Sequence, residues 1–232
     1  MATTVLEAGG AITGQVQLDG GMTVQNGGTL TWSSGSIALG TGDASATNQA
    51  GTLNNVAGGV FVIETNGTIS SPGSGSVYNA GTLAKLGGLG ITAVNAAMNN
   101  TGTIIASSGT LMFGQAVTGA GTFVLDGTAT LDLVNGTGSG STMEFLYPGG
   151  TLETQGLGSF ASTISGFAVG DLIDVASVTY AQGTTTVGFN AGTLTVTDAT
   201  PSAAFTLSGS YASNGFQIIG SDGHGGTEVG YS

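Results

Sequence analysis

Along this chain apolar residues alternate with small polar ones in short runs. Leu30 and Trp32 share one side of a segment whose other side is Thr29 and Thr31. Phe61 and Ile63 oppose Val62 and Glu64, and Leu131 and Leu133 flank Asp132. A period of two predicts strands with one buried face, and helix-forming runs are few. Between the runs recurs the phrase Asn-x-Gly-Thr-(Leu/Ile), at Asn26–Leu30, Asn79–Leu83, Asn100–Ile104 and Asn190–Leu194. Looser copies stand at Asn48–Leu53 and Asn66–Ile69. Asn and Gly are expected to supply left-handed turn conformations, while Thr and the aliphatic residue start a strand.

Spacing turns these strands into an architecture. Gly28 and Gly51, then Gly81, Gly102 and Gly121, recur at roughly 19–23 residues, the length of one coil of a stacked-strand repeat. Such a unit cannot bury its own apolar side and must stack on its neighbours. The reading is an all-β parallel β-helix (β-solenoid) of roughly ten coils, a rod about 45–50 Å long. Leu30, Trp32, Leu53, Ile69, Leu83, Ile104, Leu111, Phe113, Phe123, Leu131 and Leu133 should form its core. Residues 1–140 carry the regular repeat. Residues 141–232 have short strands and glycine turns that also suit hairpins or a sandwich, and are read as irregular coils continuing the solenoid. Neither terminus has the look of a cap, so unpaired end strands should favour end-to-end association into a filament or stacked homo-oligomer.

Composition narrows the partners. Of 232 residues, 45 are glycine, yet 40% are hydrophobic, which argues for an ordered fold over a flexible polymer. One basic residue, Lys85, stands against thirteen acidic ones, for a formal net charge of −12. Without cationic side chains neither nucleic acid nor anionic lipid is a plausible partner. Cysteine is absent, which removes disulfide and thiolate chemistry. The opening Met1–Glu7 has no basic region or long apolar stretch of a signal peptide, and no run is apolar enough to span a membrane. Scarcity of Lys and Arg also removes trypsin sites, which suits an extracellular surface.

The run Tyr78–Gly88, with Met98–Ile104 and Ser108–Phe113, resembles the β-strand repeats of large bacterial surface proteins and autotransporter-like adhesin passengers. Phe167–Asp174 and Asp222–Thr227 look like C-terminal units of secreted proteobacterial repeat proteins. The resemblance implies a secreted, surface-associated or fibrous β-solenoid and supplies no catalytic residue.

Candidate chemistry is sparse. Two carboxylates about 6.5–9.5 Å apart would serve an inverting glycosidase. Asp126 with Asp132, or Glu144 with Glu153, could meet across coils, though each reads as a solvated structural acid. Asp171 and Asp174 are the metal candidates, as a single weak Ca2+ site or as turn-stabilising acids; three apart in a strand, they reach one ion only if Gly170-Asp171 turns. The nonapeptide of stacked Ca2+ sites is absent, so metal is not expected to be required for folding. The sole histidine, His224, reads as an exposed loop residue. Thr29/Thr31, Thr128/Thr130 and Thr193/Thr195/Thr197 are fragments of the Thr-x-Thr ladder that ice binding needs. The expectation is a non-enzymatic extracellular structural or adhesive β-solenoid, a fibre or surface-layer subunit, without cofactor. A glycosidase-type β-helix enzyme and an ice-binding protein are the alternatives.

Overall fold

A computed structural model describes residues 3–41, 50–72, 74–155, 160–198 and 202–232. No helix occurs among them; the chain winds as a three-faced parallel β-helix. Coil one is β1 (Thr3–Leu6), β2 (Gly10–Thr13) and β3 (Val16–Leu18). Coil two is β4 (Thr23–Asn26), β5 (Thr29–Ser34) and β6 (Ile37–Leu39). Coil three is β7 (Thr52–Asn55), β8 (Val60–Ile63) and β9 (Thr68–Ser70). Coil four is β10 (Ser76–Asn79), β11 (Thr82–Lys85) and β12 (Ile91–Val94). Coil five is β13 (Ala97–Asn100), β14 (Thr103–Ala106) and β15 (Thr110–Phe113). Coil six is β16 (Val117–Thr118), β17 (Thr122–Leu125) and β18 (Thr130–Leu133).

Two further coils keep full strands on two faces, β19 (Thr142–Phe145) with β20 (Thr151–Thr154), and β21 (Thr163–Ser165) with β22 (Leu172–Val175). Their first face dwindles to single bridges, Val117 to Thr137 and Thr137 to Phe160. These eight coils are close to the number expected from spacing. All eleven core residues expected from alternation are buried, none more than 2% exposed. They stack in columns such as Leu30, Phe61, Leu83, Ile104, Phe123, Met143 and Ile164.

The recurring phrase is built differently from its expected turn. Gly81 and Gly102 do not adopt left-handed backbone. A β-carbon at Gly81 would collide with the carbonyl oxygen of Gly59, and one at Gly102 with that of Gly81. Glycine is required there because successive coils touch backbone to backbone at the corner. The left-handed expectation does apply at Asn190–Leu194, where Ala191 (φ 48°) and Gly192 (φ 81°) form the tight turn of a hairpin.

Parallel winding stops after β22. The chain continues as β23 (Thr186–Asn190), β24 (Thr193–Thr197), β25 (Ser202–Ser208), β26 (Phe216–Ser221) and β27 (Thr227–Tyr231). β25 adds to β21 in parallel, then β24 and β23 follow antiparallel; β27 adds antiparallel to β22, followed by β26. Antiparallel strands thus extend two faces past the last coil. Phe167, Phe189, Tyr211, Phe216 and Tyr231 pack ring against ring, with centroids 4.9–6.1 Å apart. The irregular coils expected of residues 141–232 run as far as β22, and beyond it an antiparallel cap takes their place, with β23 and β26 as its outer strands. Among the described residues, β1, β2 and β3 are the outermost strands of the three faces at the opposite end.

Candidate functional site

Lys85, the only basic residue, is fully buried in the inward column between Ile63 and Ala106. Its ammonium donates to the carbonyls of Gly87 (2.8 Å), Gly88 (2.9 Å) and Thr65 (3.4 Å), and burial pulls its pKa below the ordinary lysine value. It closes a corner from inside, a structural use of the charge.

The acids are a different matter. β18, β20 and β22 are adjacent on the third face, and strand alternation sends their third residues outward. The register sets Asp132 beside Glu153, Glu153 beside Asp174, and Asp174 beside Glu228 on β27. Asp222 and His224, from the β26–β27 turn, reach the same open groove of about 670 Å³, which also takes in Thr130 and Thr151. Asp132 and Asp174 are 5% and 6% exposed, and Oδ1 of each is buried without a hydrogen-bond partner. Burial pushes the Asp132 carboxyl up to about 7, with Glu153 adding repulsion. Burial likewise lifts Asp174 to about 7, helped by the charges of Asp222, Glu153, Glu228 and Asp132. For Asp222, desolvation raises the pKa, but hydrogen bonds from the amides of His224, Gly226 and Gly225 outweigh it and hold the group below the usual carboxylate range.

Asp132 therefore faces outward without being solvated, which corrects its reading as a solvent-facing acid. The register does not pair Asp126 with Asp132 or Glu144 with Glu153, the two pairs that could have met across coils. Asp126 accepts the Ser107 hydroxyl at 2.8 Å, and Glu144 lies on the second face between Val124 and Ser165. The column that does form, Asp132–Glu153–Asp174, has a uniform 21-residue interval that was open to view in the sequence.

Asp171 and Asp174 go to different environments. Asp171, 1% exposed, accepts the amides of Gly149 (2.8 Å) and Gly150 (3.2 Å) on Oδ1 and of Ala168 (2.8 Å) on Oδ2. It staples one corner to the coil below. His224 is exposed, with its backbone amide donating to Asp222 Oδ1 at 2.7 Å. Among the threonine fragments, Thr29 and Thr31 lie on the second face, Thr130 on the third, and Thr193, Thr195 and Thr197 in the cap. Among the described residues no three His, Cys, Asp or Glu side chains are gathered into a ready chelate. No family model matches the chain, and no curated protein shows a significant match to it.

Proposed function

We propose that the chain is a stiff, non-enzymatic β-solenoid module of an extracellular structural or adhesive assembly, which associates through its first coil. The observation that carries this reading is the asymmetry of the ends. Antiparallel strands and aromatic rings extend one end, whereas among the described residues β1, β2 and β3 stand outermost on all three faces at the other. Unpaired parallel edges of this kind recruit another strand. Few acidic residues oppose contact there, with Glu7 and Asp19 the only ones between Thr3 and Asp19. The lone, buried Lys85 leaves the surface acidic and poor in trypsin sites, in keeping with an extracellular setting. What supports a structural role is where the polar residues are spent: Lys85 through Thr65, Asp171 through Gly149, and a column of buried asparagines all bind one coil to the next.

The test is light scattering after gel filtration, across a wide concentration range. Leu6 O accepts the amide of Gly27 in coil two, so strand alternation turns the Val5 amide to the open edge. Val5→Pro removes that donor and should lower the apparent mass at high concentration. A chain that is monomeric at every concentration, or association that Val5→Pro leaves intact, overturns the edge-pairing reading.

A further inference from the structure

Asp174 and Asp222 belong to different parts of the fold. Asp174 is on β22, the last parallel strand of the third face, and Asp222 is in the turn between the two cap strands β26 and β27. Their oxygens nevertheless converge. A β-carbon on Gly226 would stand 2.7 Å from Asp222 Oδ2 and 3.0 Å from Asp174 Oδ1. Asp174 Oδ1 is buried and accepts no hydrogen bond. The Asp222 amide partners are taken on Oδ1, from His224 (2.7 Å) and Gly226 (2.8 Å), so its Oδ2 is the oxygen presented to Asp174. Glu153 and Glu228 flank Asp174 in the ladder, and the one lysine of the chain is buried on the second face. Two carboxylate oxygens thus converge, and among the described residues no donor is hydrogen-bonded to Asp174 Oδ1.

We propose that this space takes a divalent cation, Ca2+ by ligand type, which Asp174 and Asp222 share and which fastens the C-terminal cap to the last coil. Hard carboxylate oxygens lining an open groove suit Ca2+, which accepts six to eight ligands including water; Mg2+ demands a tighter octahedron. Among the described residues only two carboxylates converge and no larger chelate is preformed, so the remaining ligands are water and the affinity is weak, about 10−4–10−3 M. The cation replaces repulsion between coil and cap with a bridge. The metal candidates of the sequence, Asp171 and Asp174, are thereby re-paired: Asp174 serves with Asp222, while Asp171 keeps its backbone amides.

Isothermal titration of the full chain with CaCl2, alongside thermal melts in EDTA, Ca2+ or Mg2+, tests this. The expected result is saturable uptake near one Ca2+ per chain and a melting temperature that rises with Ca2+, more than with equal Mg2+. Asp222→Asn keeps the Oδ1 acceptor of the turn and loses the shared charge, so its response to Ca2+ should vanish. Asp174→Asn should also lose the response while melting higher than the parent in EDTA, because a repelled buried carboxylate has been removed. Glu144→Gln, on the second face, should respond like the parent. Heats that never saturate up to about 10 mM, tenfold beyond the weak limit, or an undiminished response in Asp222→Asn, overturn the proposal.

Discussion

The side-chain amide of Asn55 donates to the side-chain oxygen of Asn79 at 2.7 Å, from one coil to the next. Asn26 donates to Asn55 in the same way at 2.8 Å, and Asn79 to Asn100 at 2.8 Å. Each amide also reaches a backbone carbonyl on the second face: Val60, Thr82, Thr103 and Thr122 serve Asn26, Asn55, Asn79 and Asn100 in turn. The column is fully buried at the corner between the first and second faces. A chain of buried amides holds its alignment because any break strands a donor or an acceptor out of reach of water.

Asn79→Ala should therefore cost about 1–3 kcal/mol, the range for leaving buried polar groups unpaired. Asn99→Ala, beside the ladder residue Asn100 in sequence but half-buried on the outer side, should stay within about 0.5 kcal/mol. Urea melts of both variants make the comparison, and equal losses would remove the special role of the ladder.

Ile104 is fully buried in the second-face column between Leu83 and Phe123. Its replacement by Ala should cost about 2–5 kcal/mol, because coils locked by backbone ladders cannot collapse into the space. A stability unchanged in urea would argue against a tightly stacked core.

Lys85→Met keeps the length of the side chain and removes the ammonium that holds Gly87 and Gly88. Charge-assisted hydrogen bonds of this kind are worth about 1.5–3 kcal/mol, and part of that returns because a desolvated charge is lost. The expected net loss is about 1–2 kcal/mol by that arithmetic. The corner beyond it carries Leu86 and the 92%-exposed Leu89. Chymotrypsin should cut there faster in the variant, and an unaltered cleavage rate would show that the corner holds without the lysine.

Stability should fall as pH rises through the acid range in chelated buffer. Asp132 and Asp174 have folded values of about 7 against an ordinary 3.8, so between these limits the folded chain retains protons that the unfolded chain has released. The contribution is complete below the unfolded value and lost as pH climbs through the folded one. Asp132→Asn should flatten part of the decline and melt higher than the parent at about pH 8. A stability that increases steadily from pH 4 to 8 would contradict buried, mutually repelling carboxylates.

Alternation of apolar and small polar residues was enough to identify strands, inward positions and a stacked fold, because which side of a strand a residue faces depends only on its immediate neighbours. The phrase built on Asn, Gly and Thr was likewise enough to mark turns. It could not say which turn. Thr29-Leu30, Thr82-Leu83 and Thr103-Ile104 open strands of the second face, Thr52-Leu53 opens one of the first, Thr68-Ile69 belongs to the third, and Thr193-Leu194 opens a cap strand. Asn48 of the looser copy lies outside the described residues, and Asn55 occupies the ladder in that coil.

Coil length explains the difference. Paired positions are 20 residues apart from Thr3 to Thr23, 29 from Thr23 to Thr52, and 19 from Met98 to Val117. A residue's place around the axis therefore depends on every insertion before it, and not on its local phrase. The carboxylate ladder, the enclosure of Lys85 and the approach of Asp222 to Asp174 all follow from that accumulated register, and the last needs the cap to fold back antiparallel as well. Local sterics wrote the strands and turns into the sequence; hydrogen bonds between coils, which join residues far apart in the chain, decided which side chains meet.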